Sequence, residues 1–394
     1  MDFPTVEPSM RQAERATFDL RRGLPILVRD SSGATLVQAV EGLDGTALSA
    51  LQALGGGVIH LVLSSHRMAA LGFTDVQAPA MVTLAPPPDC GQLREFACRR
   101  GVRLPANAQV TPASKAGQAA IRLLARAHFV PAAIVCPVQP GQAEQIMAKV
   151  ACGELLALNA DTALELCASG PGALTRISEA SVPLAEAENS RFVLFREADG
   201  ISEHVAIVIG TRADWAHDVP VRLHSSCLTG DLFGSLRCDC GEQLRRGIAA
   251  ITAKGGGILL YLSQEGRGIG LANKLRAYDL QDEGLDTIDA DQTIGFSKDE
   301  RDFRVASEML KQLGVSRILL LTNNPSKVEA LQRAGINVTA REAIYGEVTR
   351  QNQRYLTTKA NRHGHFLHDL LNEQGEPGSS LPESLPAPAT VARS

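Results

Sequence analysis

Three cysteines, Cys227, Cys238 and Cys240, fall close together in the segment HSSCLTGDLFGSLRCDCGEQ. Thiolates bind zinc readily, and structural zinc sites close with four protein ligands. Three sulfurs leave one coordination position for water, and metal-bound water becomes a hydroxide source near neutral pH. Spacing alone fits three unligated thiols equally well. The neighbours favour a site: His224, Asp231 and Asp239 add polar groups, while Gly230, Gly234 and Gly241 mark tight loops.

Further along, SQEGRGIGLANKLRAY follows an apolar run at 258–262. A glycine-spaced turn between strand and helix exposes backbone N–H groups that suit phosphate oxygens, and Arg267 adds a guanidinium able to grip phosphate bidentately. It is neither a Walker loop nor a Rossmann fingerprint, because no GKS or GKT follows and GRGIG breaks the glycine spacing. SKDERDF brings Asp299 and Arg301 together at the opening of an expected helix, a position that also suits plain helix-end electrostatics. LTNNPSKVEAL ends a strand in polar residues, where open α/β sheets place ligands; Thr322 and Lys327 could face a nucleotide there. Asn323 or Asn324 could equally serve as a simple N-cap.

The elements that must position these groups read as α/β throughout. Residues 1–172 alternate strand-like LPILV, GGVIHLVL and AAIVCPV with helical QAAIRLLARAHF and AEQIMAKVA. A new rhythm begins after Ser169–Pro171. Strands are expected near Val205–Ile209, Val219–His224, Ile258–Leu262 and Ile318–Thr322. Helices are expected at Glu242–Lys254, Ala272–Asp282, Glu300–Leu313 and Ser326–Ala334, with Pro325 near the start of the last. Residues 374–394, rich in Pro and Ser, read as a disordered tail. The expected fold is therefore α/β with mixed sheets in two domains, 1–172 and 173–373. At 394 residues the chain can build two cores. Its net charge of −4, with no long basic run, argues against nucleic-acid binding. No apolar stretch is long enough to cross a membrane. The start lacks a secretory pattern, and eight cysteines without an even framework fit a reducing cytoplasm.

Together, VRLHSSCLTGDLFGSLRCDCGEQL, QEGRGIGLANKLRAY, GLDTIDA, IGFSKDERDF, LLTNNPSKVEAL and YLTTKANRHGH resemble GTP cyclohydrolase II of riboflavin biosynthesis over about residues 174–370. The resemblance implies that Cys227, Cys238 and Cys240 hold one Zn²⁺ per subunit. It implies a GTP site of Arg222, Leu223, His224, Ser225, Ser226, Gln243, Glu265, Gly266, Arg267, Thr287, Thr322 and Lys327. Asp299 matches the family's proton acceptor, Arg301 the residue assigned as nucleophile, and Tyr278 an active-site tyrosine whose presence implies full deformylation. Mg²⁺ on the triphosphate and a homodimer are implied as well. The implied reaction turns GTP into 2,5-diamino-6-ribosylamino-4(3H)-pyrimidinone 5′-phosphate, formate and pyrophosphate. Ser226 stands where many members have Glu, and Gly268 where some have Asn; neither departure touches the metal or the Asp299–Arg301 pair. Two alternatives are a cyclohydrolase-like paralogue with another nucleotide or product, and a non-catalytic zinc-stabilised binding protein.

Residues 10–172 weakly resemble 3,4-dihydroxy-2-butanone 4-phosphate synthase, through LRRGLPILVRD, GGGVIHLVLSSHRMAALGF and AAIRLLARAHFVPAAIVCPV. The family's acidic Mg²⁺-binding run is replaced by RDSSGATLVQAVEG, which keeps Asp30 and Glu41 but no carboxylate cluster. Its G-H-T turn is replaced by PASKAGQAA. Magnesium wants several oxygen ligands, so this domain is expected to be inactive. Folding support, dimerisation and regulation remain open as its role.

Overall fold

The computed structural model describes residues 8–169, 174–200 and 202–345. The YLTTKANRHGH motif and the expected tail lie outside the described residues. The first part runs α1 (Pro8–Arg21), β1 (Ile26–Asp30), β2 (Gly33–Ala39), α2 (Gly45–Gly55), β3 (His60–Leu63), α3 (Ser65–Ala70), β4 (Ala80–Thr83), α4 (Cys90–Cys98), β5 (Gln109–Pro112), α5 (Lys115–Arg126), β6 (Ala132–Pro137), α6 (Ala143–Ala151), β7 (Leu156–Asn159) and α7 (Ala160–Ala168). The second runs β8 (Thr175–Ser181), β9 (Ser190–Arg196), β10 (Glu203–Ile209), β11 (Val219–Ser225), α8 (Cys240–Ala253), β12 (Gly257–Leu262), α9 (Leu271–Asp282), α10 (Thr287–Ile294), α11 (Arg304–Gln312), β13 (Arg317–Leu321), α12 (Pro325–Arg333) and β14 (Asn337–Glu342).

Each part builds one seven-stranded sheet, ordered β5-β4-β3-β6-β2-β1-β7 and β14-β13-β11-β12-β10-β9-β8. The first is antiparallel except for the β1–β7 pairing. Its strand β6 is buried along almost its whole length, as a strand covered on both faces must be. On one face α5 packs Ala116, Ala119, Ala120, Leu123 and Leu124 in a helical stripe together with residues of α1 and α7. The other face is completed partly by the second half: Ile269, Ala277, Leu280, Ala290, Ile294 and Phe296 join the cluster containing Leu61, Leu63 and Met68.

The second sheet is parallel across β12-β11-β13-β14 and antiparallel across β10-β9-β8. Alternation along β11 sends Val221 and Leu223 into the cluster that α11 joins. Arg222 therefore falls on the opposite face, where it meets Gln243 of α8. Three parallel strands, β11, β12 and β13, end at the same edge, and the loops carrying the sequence motifs leave from there.

Two local differences from the sequence reading are informative. The helix expected from Glu300 starts at Arg304. Asp299 Oδ1 accepts the Arg301 backbone N–H at 3.1 Å, closing an Asx-type turn before the helix can begin. Helix α10 was not anticipated, although its caps are visible in retrospect. Asp286 accepts from the N–H groups of Ile288 and Asp289, and Gly295 ends the helix at φ 102°.

Candidate active site

Cys227 lies two residues beyond β11, Cys238 in the following loop, and Cys240 at the first turn of α8. Their sulfur atoms all lie within 4.8 Å of one another, with Cys227 Sγ and Cys238 Sγ 3.6 Å apart. A tetrahedral Zn–S bond near 2.3 Å demands an S–S edge of about 3.8 Å, so the spacing fits such an ion. The loop is shaped for the sulfurs: a Cβ on Gly230 would fall 2.7 Å from Cys238 Sγ and 3.0 Å from Cys227 Sγ, and one on Gly241 would fall 2.3 Å from Gly230 O. Hydrogen bonding with Cys238 and Cys240, helped by Lys274 and opposed by burial, holds the Cys227 thiol far below its ordinary value. The same contact pushes the Cys238 thiol up, so the pair shares a proton with the thiolate on Cys227, the ligand-competent form.

Behind the sulfurs, Asp231 organises the turn. Its carboxylate accepts from Cys227 N at 2.9 Å and from Tyr261 Oη at 2.8 Å, and it lies 3.1 Å from His224 Nε2. Burial pushes the His224 pKa down despite that carboxylate, so the imidazole is neutral at ordinary pH. In front of the sulfurs stands Lys274, which the sequence reading had not singled out. Its Nζ lies 3.0 Å from Cys227 Sγ and donates to Glu265 Oε1 at 2.8 Å. Burial would lower the Lys274 pKa, but the Glu265 and Cys227 contacts override it and hold the ammonium charged. Glu265 also accepts from Leu228 N at 2.6 Å, tying the glycine-rich loop to the cysteine loop.

That loop is conformationally tense. Gly266 and Arg267 both sit at φ 62°, a region a non-glycine residue occupies at a cost. Arg267 is held by the buried carboxylate of Asp291 and by Thr287 O at 3.3 Å. Burial pushes the Asp291 pKa up to about 6, Arg267 opposing it. On the far wall, Arg301 grips Asp299 in a fork, Nε to Oδ1 at 2.8 Å and a terminal nitrogen to Oδ2 at 2.6 Å. Burial would raise Asp299, but the guanidinium wins and keeps it below the ordinary carboxylate value.

One cleft, open to solvent, joins these groups. Ser225, Ser226, the three cysteines, Glu265, Gly266, Arg267, Tyr278, Thr287 and Arg301 all line it. Ser225 Oγ is buried and without a hydrogen-bond partner among the described residues. Burial raises the Tyr278 pKa, so its phenol is protonated, with the Arg237 guanidinium 4.9 Å from the ring centroid. Arg222, Leu223, His224, Gln243, Thr322 and Lys327 are not on the cleft wall. They form a layer beneath it, buried except for the half-buried Gln243: Arg222 donates to Gln243 Oε1 at 2.9 Å, and Lys327 Nζ to Leu223 O at 2.7 Å. Asp299 reaches the cleft through Arg301.

A family model of GTP cyclohydrolase II matches residues 175–343. The chain is 39% identical over 376 residues to a GTP cyclohydrolase-2 of Azospirillum brasilense, covering 93% of this chain and 96% of that one. To one of Xylella fastidiosa it is 40% identical over 357 residues, covering 90% and 87%. A GTP cyclohydrolase-2 of Azotobacter vinelandii is 54% identical over 180 residues, 46% of this chain and 85% of its own length. A solved structure described as RibBX, a two-domain 3,4-dihydroxy-2-butanone 4-phosphate synthase from A. baumannii, covers 85% of this chain and 99% of its own, at 16% identity and a TM-score of 0.32.

Proposed function

The chain belongs to the GTP cyclohydrolase II family, and from that premise we propose that it is a zinc-dependent enzyme that converts GTP to 2,5-diamino-6-ribosylamino-4(3H)-pyrimidinone 5′-phosphate, formate and pyrophosphate. The observation that carries this reading is the single cleft that places the three sulfurs and the guanidinium groups of Arg267 and Arg301 on shared walls. Removing C8 of guanine and cleaving the triphosphate make different demands, a nucleophilic hydroxide and a cationic clamp, and one cleft offers residues for both.

Cys227, Cys238 and Cys240 would hold the metal. When bound, Zn²⁺ lowers the pKa of coordinated water and so supplies the hydroxide that attack at C8 needs. Lys274 offsets the negative charge of the thiolates from the cleft side. Tyr278, kept protonated, would supply a proton to the amine nitrogen as the C8–N bond breaks and formate departs. Asp299, held as a carboxylate, is the proton acceptor. Arg267 and Arg301 bind the triphosphate with Mg²⁺, and Thr287 contributes at the substrate wall. Ser225, Ser226, Glu265 and Gly266 would meet the substrate at the wall, while Arg222, Leu223, His224, Gln243, Thr322 and Lys327 support the strand ends from which those contacts project. Residues 173–373 form the catalytic unit, while residues 1–172 are a degenerate synthase-like domain without activity of their own. We extend the reading to a cytoplasmic homodimer; among the described residues no helix is long and apolar enough to cross a membrane.

The test is direct. Purified full-length protein is incubated with GTP, Zn²⁺ and Mg²⁺, and formate, pyrophosphate and the pyrimidine are quantified. Equal amounts of all three are expected, and absence of GTP turnover rules the reading out.

A further inference from the structure

We propose that the first half acts as the positioning element for one wall of the cleft. It does so by gripping the segment 265–296, which carries Arg267, Lys274, Tyr278, Thr287 and Asp291. This inference rests on the proposed GTP chemistry for its kinetic consequences, but its structural basis is independent. The segment has two sides. One lines the cleft. The other sinks Leu280, Ala290, Ile294 and Phe296 into the core of the first half, and Ile269 and Ala277 reach both the cleft and that core, so α9 and α10 are packed by a sheet to which they do not belong.

Buried polar contacts give that packing a defined geometry. Arg67, 1% exposed, donates to Phe96 O at 2.7 Å and Arg99 O at 2.8 Å on its own side, and to Thr293 O at 2.9 Å across the boundary. Ser64 Oγ donates to Gly295 O at 2.6 Å, fixing the residue that terminates α10. Asn273, fully buried, donates to His128 O at 2.9 Å and to Ile269 O at 2.9 Å. His128 holds φ 59° to present that carbonyl, and a Cβ on Gly270 would fall 2.8 Å from His128 Cβ. A strained, non-glycine backbone is maintained only where its surroundings over-determine it. Here it abuts the end of the loop that carries Arg267. Finally, Arg276 on α9 pairs with Glu41 at 2.8 Å.

Contacts from the first half therefore hold the segment from Ile269 to Phe296, whereas the cysteine ligands lie outside it and meet it only through Lys274 and Glu265. Perturbing the boundary should disturb substrate placement more than metal retention, which rests on the sulfurs themselves. Small displacements of positioning groups are costly to rate, which makes the effect measurable.

The experiment uses full-length, zinc-loaded protein bearing Glu41→Arg, Arg276→Glu, or both. Each single reversal places like charges together across the boundary. Each is expected to raise the KM for GTP about tenfold with unchanged zinc per chain, and the double swap to return it to within about threefold of wild type. A wall held only for general stability would lower zinc content and folding yield together and would show no rescue. Glu41→Gln, which removes the charge and little else, serves if a reversal fails to fold; faster amide exchange confined to 265–296, with a raised KM, is the expected result. Folded variants with KM within about twofold of wild type and unchanged exchange overturn the proposal, as does a double swap no better than the worse single. Wild-type turnover is scored separately. An inactive wild type defeats the GTP reading, whereas an active wild type with indifferent boundary variants defeats this one.

Discussion

Arg301 is the residue at which chemistry constrains the reading most. A guanidinium stays protonated at ordinary pH and is a poor nucleophile, and this one is committed in a fork to Asp299. The same pairing explains why Asp299 stays ionised although it is largely buried. On the proposed reading, an arriving triphosphate would compete for the guanidinium, and each contact that Arg301 transferred to phosphate would free an oxygen of Asp299 to accept a proton. A clamp that releases a base on binding needs no covalent step. We therefore expect intact-mass measurement under single-turnover conditions to show no guanylyl adduct on the wild-type chain. Arg301→Ala should lose about a hundredfold or more in kcat/KM, and Arg301→Lys, which keeps the charge but not the fork, clearly less. An adduct present on wild type and missing from Arg301→Ala would establish the covalent role instead.

At the level of elements, the cleft depends on loops whose glycines admit atoms rather than merely permit bends. Gly230 shows this most clearly, because an added methyl would sit among the sulfurs. Gly230→Ala should leave the sheet folded and lower metal affinity at least about tenfold, as read by metal retained after dialysis against a graded chelator; full retention would show that the loop yields. The cysteine loop and the glycine-rich loop were legible in the sequence because each is a short, contiguous signal at a strand end; Asp299 and Arg301 were legible as a pair, but the turn they form, between α10 and α11, was read as helix. Helix α12 was legible too, since Asn324 and Pro325 start it. What escaped has a common cause. Lys274 sits in the first turn of α9, and its role depends on Cys227, 47 residues earlier. Asp231 was seen as a polar neighbour, but its three-way contact with His224, Tyr261 and the Cys227 amide needs β11 and β12 side by side. Helix α10 is short and buries much of its circumference against α3 and α4, so periodicity was a weak guide and only its caps announced it.

Across the whole molecule, the two carboxylates kept in the first half's RDSSGATLVQAVEG stretch are spent on structure, Asp30 within that half and Glu41 on the boundary with the second. Asp30 accepts from Ala116 N at the start of α5, at 2.9 Å, and from Ser32 N at 2.8 Å. Glu41 accepts from Arg276 of the second half and from Val130 N at 3.2 Å. Among the described residues, only Cys227, Cys238 and Cys240 form a group of three or more suited to a metal ion. A magnesium ion bound through Asp30 and Glu41 would have to displace a helix contact and an ion pair between the halves, with few further oxygens to repay their loss. Incubating the full-length protein with ribulose 5-phosphate and Mg²⁺ should therefore yield no butanone phosphate while the same preparation turns over GTP. Mg²⁺-dependent product would mean that Glu41 can leave Arg276 for a metal. It would then couple the two halves through one carboxylate, and ribulose 5-phosphate should raise the KM for GTP. With Glu41 committed to Arg276, GTP kinetics should be indifferent to ribulose 5-phosphate at any concentration, and that indifference is the second readout of the same assay.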